Sequence, residues 1–100
     1  MASEIHPNAV VAADVEIGHF SVIERNATIE AGCRIGHHVV IREGSRIGVN
    51  VRIDDHATVG KRPMKAANSA TTREMPLDPV WIDDDSIVGT SAIIYRGARI

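Results

Sequence analysis

From Ile5 to Val59 every sixth residue is aliphatic: Ile5, Val11, Ile17, Ile23, Ile29, Ile35, Ile41, Ile47, Ile53 and Val59. Four residues after each comes a smaller one: Ala9, Val15, Ser21, Ala27, Cys33, Val39, Ser45, Val51 and Ala57. The rhythm lapses over one segment and resumes at Ile82, Val88, Ile94 and Ile100, with Ser86, Ala92 and Ala98 in the small position. A strict period of six contains the period-two alternation of a strand, so each hexad can form one short strand and its turn. A repeat this short predicts an all-β solenoid with the aliphatic residue facing inward and the small one letting the chain corner.

The position three after each aliphatic residue tests this reading. It holds Asn8, Asp14, Phe20, Asn26, Gly32, His38, Gly44, Asn50 and His56, and eight of the nine are Gly, Asn, Asp or His. Those types tolerate positive φ best, so a corner with left-handed backbone accounts for the column. Ile and Val supply 24 of the 100 residues and the aromatics three. The core is therefore expected to be narrow and filled by β-branched side chains, which suit strands. The length allows one domain, 1–100. A net charge of −2 argues against nucleic-acid and membrane-surface partners. No apolar stretch approaches the roughly 18 residues of a membrane-spanning helix. The start MASEIHPNAV has no signal-peptide core, which predicts a cytoplasmic protein. The single cysteine, Cys33, sits in a small inward slot and reads as a packing thiol.

The hexads IHPNAV, IEAGCR and IGVNVR resemble those of the hexapeptide-repeat proteins, and the likeness runs through the chain outside one segment. It implies a left-handed parallel β-helix, a triangular prism with three hexads per coil, whose hand departs from the usual crossover rule. On that count residues 5–22, 23–40 and 41–58 form three coils, and a fourth begins at Val59. Residues 61–75, KRPMKAANSATTREM, carry no repeat and read as a loop. Pro76–Trp81 reads as a degenerate hexad with Val80 in its small position. Coil four then closes with Ile82–Ile87, and coil five opens at Val88. The beat is still running at Ile100, and solenoid ends need capping. The chain is therefore expected to be the N-terminal part of a longer protein, or to have that end covered by a partner.

Four of the five histidines fall on the 18-residue beat. His19, His37 and Asp55 make one column and Phe20, His38 and His56 the next. On the alignment above, Asp84 and Asp85 continue both at the same corner, and the loop leaves just after it. Histidines beside a loop suit acid–base chemistry, and His56 and His38 are the candidate catalytic residues. Both also occupy the turn slot, where His is an ordinary occupant. The loop carries Lys61, Arg62, Lys65 and Arg73, with Asn68, Ser69, Thr71 and Thr72 between them and one acid, Glu74. Fixed cations with amide and hydroxyl donors suit a phosphate or pyrophosphate, which makes Lys61, Arg62, Asn68 and Arg73 candidate substrate-binding residues. Trp81, the only tryptophan, is expected to pack the loop's return onto the prism.

The stretch IVGTSAIIYRGARI resembles the coils after the loop in nucleotide-sugar N-acetyltransferases and lipid A acyltransferases. The resemblance implies an acyltransferase. It would move an acetyl or longer acyl group from acetyl-CoA or an acyl-carrier thioester to a sugar, preferably a nucleotide-linked amino sugar. It further implies a homotrimer with active sites between adjacent prisms, where Tyr95 and Arg96 fall, and Arg96 joins the substrate-binding set. In the galactoside and maltose acetyltransferase branch a catalytic histidine follows the loop's first glycine. Here Gly60 is followed by Lys61, Arg62 and Pro63 and the loop holds no histidine, which leaves a base at the histidine corner, where His56 is nearest, a base in later coils, or an acceptor amine that needs little help. Two other readings stay open. One is a non-catalytic β-helical module or scaffold. The other is a zinc enzyme like the γ-class carbonic anhydrases, which resemble the fold and bind zinc through three histidines across a subunit interface. The leading reading expects no metal.

Overall fold

The computed structural model describes residues 2–63 and 77–100. Thirteen short strands follow one another: β1 (Glu4–Ile5), β2 (Val10–Val11), β3 (Glu16–Ile17), β4 (Val22–Ile23), β5 (Thr28–Ile29), β6 (Arg34–Ile35), β7 (Val40–Ile41), β8 (Arg46–Ile47), β9 (Arg52–Ile53), β10 (Thr58–Lys61), β11 (Trp81–Ile82), β12 (Ile87–Val88) and β13 (Ile93–Tyr95). Every third strand lies on the same face. The first sheet stacks β1-β4-β7-β10-β13, the second β2-β5-β8-β11 and the third β3-β6-β9-β12, all parallel. Each strand has two principal residues. The aliphatic residue of the hexad turns inward, and the residue before it turns out.

The inward residues form the core. Ile23, Ile29, Ile41, Ile47, Ile53, Val59 and Ile82 are at most 1% exposed, and so are Ala27, Cys33, Val39, Ser45, Val51, Ala57 and Val80 from the small slot. The same hexad positions are open at the two ends of the stack, where a coil has a neighbour on one side only. Ile5 is 46% exposed and Ile100 51%. Burial here therefore depends on stacking, not on residue type, since each coil's aliphatics are covered only by the coils above and below.

The turn column behaves as its composition predicts. Phe20, Asn26, His38, Asn50, His56, Asp85 and Ser91 have φ between 54° and 63°, and Gly32, Gly44 and Gly97 are also left-handed. Asn8 and Asp14, the same column in the first described coil, are not among them. The Asn8 amide closes instead on His6 Nδ1 at 3.0 Å.

The register across the loop departs from the sequence alignment. Ile82 pairs with Ile47, Val88 with Ile53 and Ile94 with Val59. Val80 takes the slot above Ser45, because its carbonyl accepts the Arg46 amide just as the Ser45 carbonyl accepts the Thr28 amide. Val80 is thus the small residue of the hexad that Val59 begins, and Pro76–Trp81 is not a hexad of its own. Coil four ends with the Val88 hexad, and coil five opens at Ile94, not at Val88. The alignment slipped because Val80 fits a small slot under either count. Backbone pairing, which a sequence does not display, decides between them.

Candidate functional site

The histidine corner follows the third sheet. The His38 amide donates to the His19 carbonyl (3.0 Å), the His56 amide to the His37 carbonyl (3.0 Å) and the Ser91 amide to the Asp55 carbonyl (2.9 Å). These bonds hold the turns in register, so equivalent side chains stack. Phe20 and His38 have ring centroids 5.1 Å apart and 18° between planes, and His38 and His56 lie 5.0 Å apart and 3° from parallel. His19 and His37 stack at 5.2 Å in the adjoining column. His37 also has a backbone task. Its Nδ1 accepts the His19 amide at 2.7 Å, while its own amide donates to Asp55 Oδ1 at 2.8 Å. A ring nitrogen that accepts carries no proton, so His37 bears its proton on Nε2 in this arrangement. His38 is sandwiched between two rings, whereas His56 ends the ladder among the described residues, with Ser91 at the equivalent position one coil further on. All four histidines are exposed.

Asp84 and Asp85 do not continue these columns. Asp84 Oδ1 accepts the Val49 amide at 2.7 Å, and the Asp85 amide donates to the Val49 carbonyl. Both therefore stand over Val49 and Asn50 at the corner after the second sheet. The one-hexad slip in register moved them there, and Ser91 takes the place above His56. The loop is also one side of the prism away from the histidines. It leaves beyond β10 and returns at Leu77 to Val80, at the corner after the first sheet.

That second corner gathers charge. A pocket of about 250 Å³ is lined by Glu24, Arg42, Glu43, Gly60, Lys61, Arg62 and Arg96. Three of the residues expected to bind substrate, Lys61, Arg62 and Arg96, thus meet in one place. Asn68 and Arg73 lie outside the described residues, so their placement is not stated. The carboxylates of the pocket are matched between coils: Arg42 with Glu24 at 3.1 Å, Arg25 with Glu43 at 3.2 Å. Lys61 and Arg62 have no ion pair among the described residues and supply the uncommitted charge. Arg96 is differently employed. Its Nε donates to the Leu77 carbonyl (3.0 Å), a second guanidinium nitrogen to the Glu43 carbonyl (2.9 Å), and its backbone amide to the Lys61 carbonyl (2.9 Å). It ties both ends of the loop to the coil beneath.

Trp81, expected to pack the loop's return, lies beside two guanidinium groups among the described residues. It is the outward residue of β11, 41% exposed, with the Arg46 and Arg99 guanidinium carbons 5.5 and 4.2 Å from its ring centroid. Cys33 is fully buried and donates from Sγ to the Gly48 carbonyl at 2.9 Å, and burial raises its thiol pKa. Among the described residues no group of three His, Cys, Asp or Glu side chains could hold a metal ion, and no helix is long and apolar enough to cross a membrane. Glu24, Arg42 and Glu43 escaped the sequence reading. Their signal was present in the hexads themselves, since they follow Ile23 and Ile41 as Lys61 and Arg62 follow Val59.

No protein-family model and no curated protein sequence matches the chain. Among solved structures, LpxA from Acinetobacter baumannii is 31% identical over 86% of this chain, with a TM-score of 0.70. Two mutant structures of perosamine N-acetyltransferase from Caulobacter crescentus, each in complex with CoA and GDP-perosamine, align over 99% of this chain. Their identities are 19% and 23%, with TM-scores of 0.59 and 0.55. The chain spans 31% of the LpxA chain and 50% of the perosamine N-acetyltransferase chain. The repeat and its fold put it among the hexapeptide-repeat, left-handed β-helix proteins.

Proposed function

We propose that this chain carries part of the active site of an acyltransferase that acts on an anionic sugar, with a nucleotide-linked amino sugar the preferred acceptor. The observation that carries the reading is the likeness to LpxA, a hexapeptide-repeat acyltransferase, at 31% identity over 86% of the chain. The uncommitted cations Lys61 and Arg62 bind the acceptor's phosphates at the loop corner, with Asn68 and Arg73 as further ligands. Arg96 serves this site by holding the loop's ends. The donor is acetyl-CoA or an acyl-carrier thioester. This is supported by the CoA and GDP-perosamine carried by the perosamine N-acetyltransferase structures, which share the fold.

His56, at the open end of the ladder, is the proposed base, and His38 backs its ring. The acceptor nitrogen or oxygen attacks the thioester carbonyl while His56 takes its proton. Backbone amides steady the oxyanion, and the C–S bond then breaks as the proton passes to the departing thiolate. The histidine corner and the loop corner flank one face, β10 between them, so a trimer with sites between prisms lets a neighbouring copy complete the pocket. That face shows Val22, Val40, Thr58 and Ile93 outward, with Ile93 54% exposed. The reaction is proposed for the cytoplasm.

The test uses the full-length protein. Acetyl-CoA and UDP- or GDP-amino sugars are screened by thermal shift, since a ligand of the native state raises the midpoint. Release of CoA thiol is then followed for wild type and His56→Ala. A loss of about 100-fold or more in kcat, with the melting temperature unchanged, supports the base assignment. Unchanged turnover sinks it, and no shift with any thioester or nucleotide sugar sinks the acyltransferase reading. Sedimentation of the same sample reads the subunit number.

A further inference from the structure

Four side chains in the small inward slot face a glycine 15 residues further on. Ser3 Oγ donates to the Gly18 carbonyl at 2.6 Å, Ser21 Oγ to Gly36 at 2.8 Å and Cys33 Sγ to Gly48 at 2.9 Å. The same spacing sets Ser45 against Gly60, and there the bond is missing. Ser45 is 0% exposed, and its Oγ is the only buried side-chain polar atom without a partner among the described residues.

Gly60 differs from its three counterparts. Its φ is +91°, and none of Gly18, Gly36 and Gly48 is left-handed. Pairing between β10 and β13 shifts register between Val59 and Lys61, so this is a bulge in a parallel pair, an uncommon place for one. The Arg96 amide takes the Lys61 carbonyl at 2.9 Å, and its guanidinium holds Leu77 and Glu43. A Cβ on residue 60 would press on Arg42 Cβ at 2.9 Å and Ser45 Oγ at 3.0 Å, so only glycine passes here. Arg96 thus holds the peptide in the bulged position, while a buried hydroxyl that has lost its acceptor favours the other one.

We propose that the Gly60 peptide is a two-position hinge. In one position it is bulged and latched by Arg96. In the other it lies in register, with its carbonyl accepting Ser45 Oγ as in the three rungs around the prism. A swing at Gly60 carries Lys61 and Arg62 with it and so reshapes the charged pocket. That last consequence rests on the reading of the pocket as the anion site, whereas the hinge itself does not.

Amide hydrogen exchange, read residue by residue by NMR on the full chain, tests it. In the in-register position the Arg96 amide loses its acceptor, while the Thr58 amide, which donates to Ala92 in the same sheet, keeps its own. The Arg96 amide is expected to exchange about tenfold faster than that of Thr58 in the wild type. Ser45→Ala removes what draws the peptide inward, and it folds, because Ala27 fills the same slot one coil below. It should slow Arg96 exchange severalfold, leave Thr58 as it was, and raise the melting temperature by about 4–8 °C. Ser21→Ala, which loses two hydrogen bonds, should lower it. An unchanged Arg96-to-Thr58 ratio in Ser45→Ala overturns the hinge and leaves a fixed bulge. Titration with inorganic pyrophosphate separates the two readings: no binding to wild type refutes the anion site and does not touch the exchange result.

Discussion

Cys33 shows what a single slot of the repeat does to chemistry. Its column holds Ser, Ala, Val and Cys interchangeably, and the sequence alone marked it as packing. The structure adds a hydrogen bond to Gly48 and full burial. Burial is the largest cause of the raised thiol pKa, opposed by a backbone hydrogen bond from Val51 and assisted by Asp14, Glu30 and Asp84. The sign follows from linkage. Above the ordinary value of 9.0 the unfolded thiol gives up a proton that the folded one keeps. The stabilisation is therefore complete below that pH and is lost as pH rises toward the folded value. Melting curves of wild type and Cys33→Ala should run at a constant offset below pH 9 and shift against each other above it, with the wild type losing ground. A maleimide should label Cys33 only after unfolding. At this scale some roles were not readable beforehand. His37 and His56 look alike as letters, yet one accepts a backbone amide through Nδ1 and the other ends a ladder. A rotamer decides that, and a spacing does not reveal it.

The strand pairs carry the next lesson. Thirteen strands of two to four residues would each be marginal alone. They persist because each inward aliphatic in the middle of the stack rests on two others. Ile41, at 0% exposure between Ile23 and Val59, and Ile5, at 46%, occupy the same hexad position with opposite surroundings. Ile41→Ala should cost about 2–5 kcal/mol and Ile5→Ala under about 1 kcal/mol, read by urea denaturation with the slope unchanged. Interleaved ion pairs such as Arg34 with Glu16, at 3.7 Å and well exposed, add little beside this. The fold itself was legible from the six-residue beat, because strand, corner and burial all repeat with it. The register after the loop was not, because hydrophobicity is the same in either alignment and strand pairings such as Ile82 with Ile47 distinguish them. That slip misplaced Asp84 and Asp85.

Viewed whole, the molecule is a stack with one interruption. Ile47 sits on Ile29 and Ile82 sits on Ile47, although 18 residues separate the first pair and 35 the second. The stack accommodates 17 additional residues within a single hexad and resumes in phase. The scaffold therefore has no memory of what is threaded through that corner. A chain lacking residues 63–79 reads Val59, Gly60, Lys61, Arg62, Val80, Trp81 and then Ile82, which is again a complete hexad. This shortened protein should fold with the β-rich circular dichroism of the parent and retain its cooperative melt, while losing recognition of phosphorylated ligands by calorimetry. Failure to fold would mean that the insertion is structural. In evolutionary terms such a corner is a socket: one insertion can be exchanged for another there by cutting and pasting, without renegotiating the pairing of the strands around it.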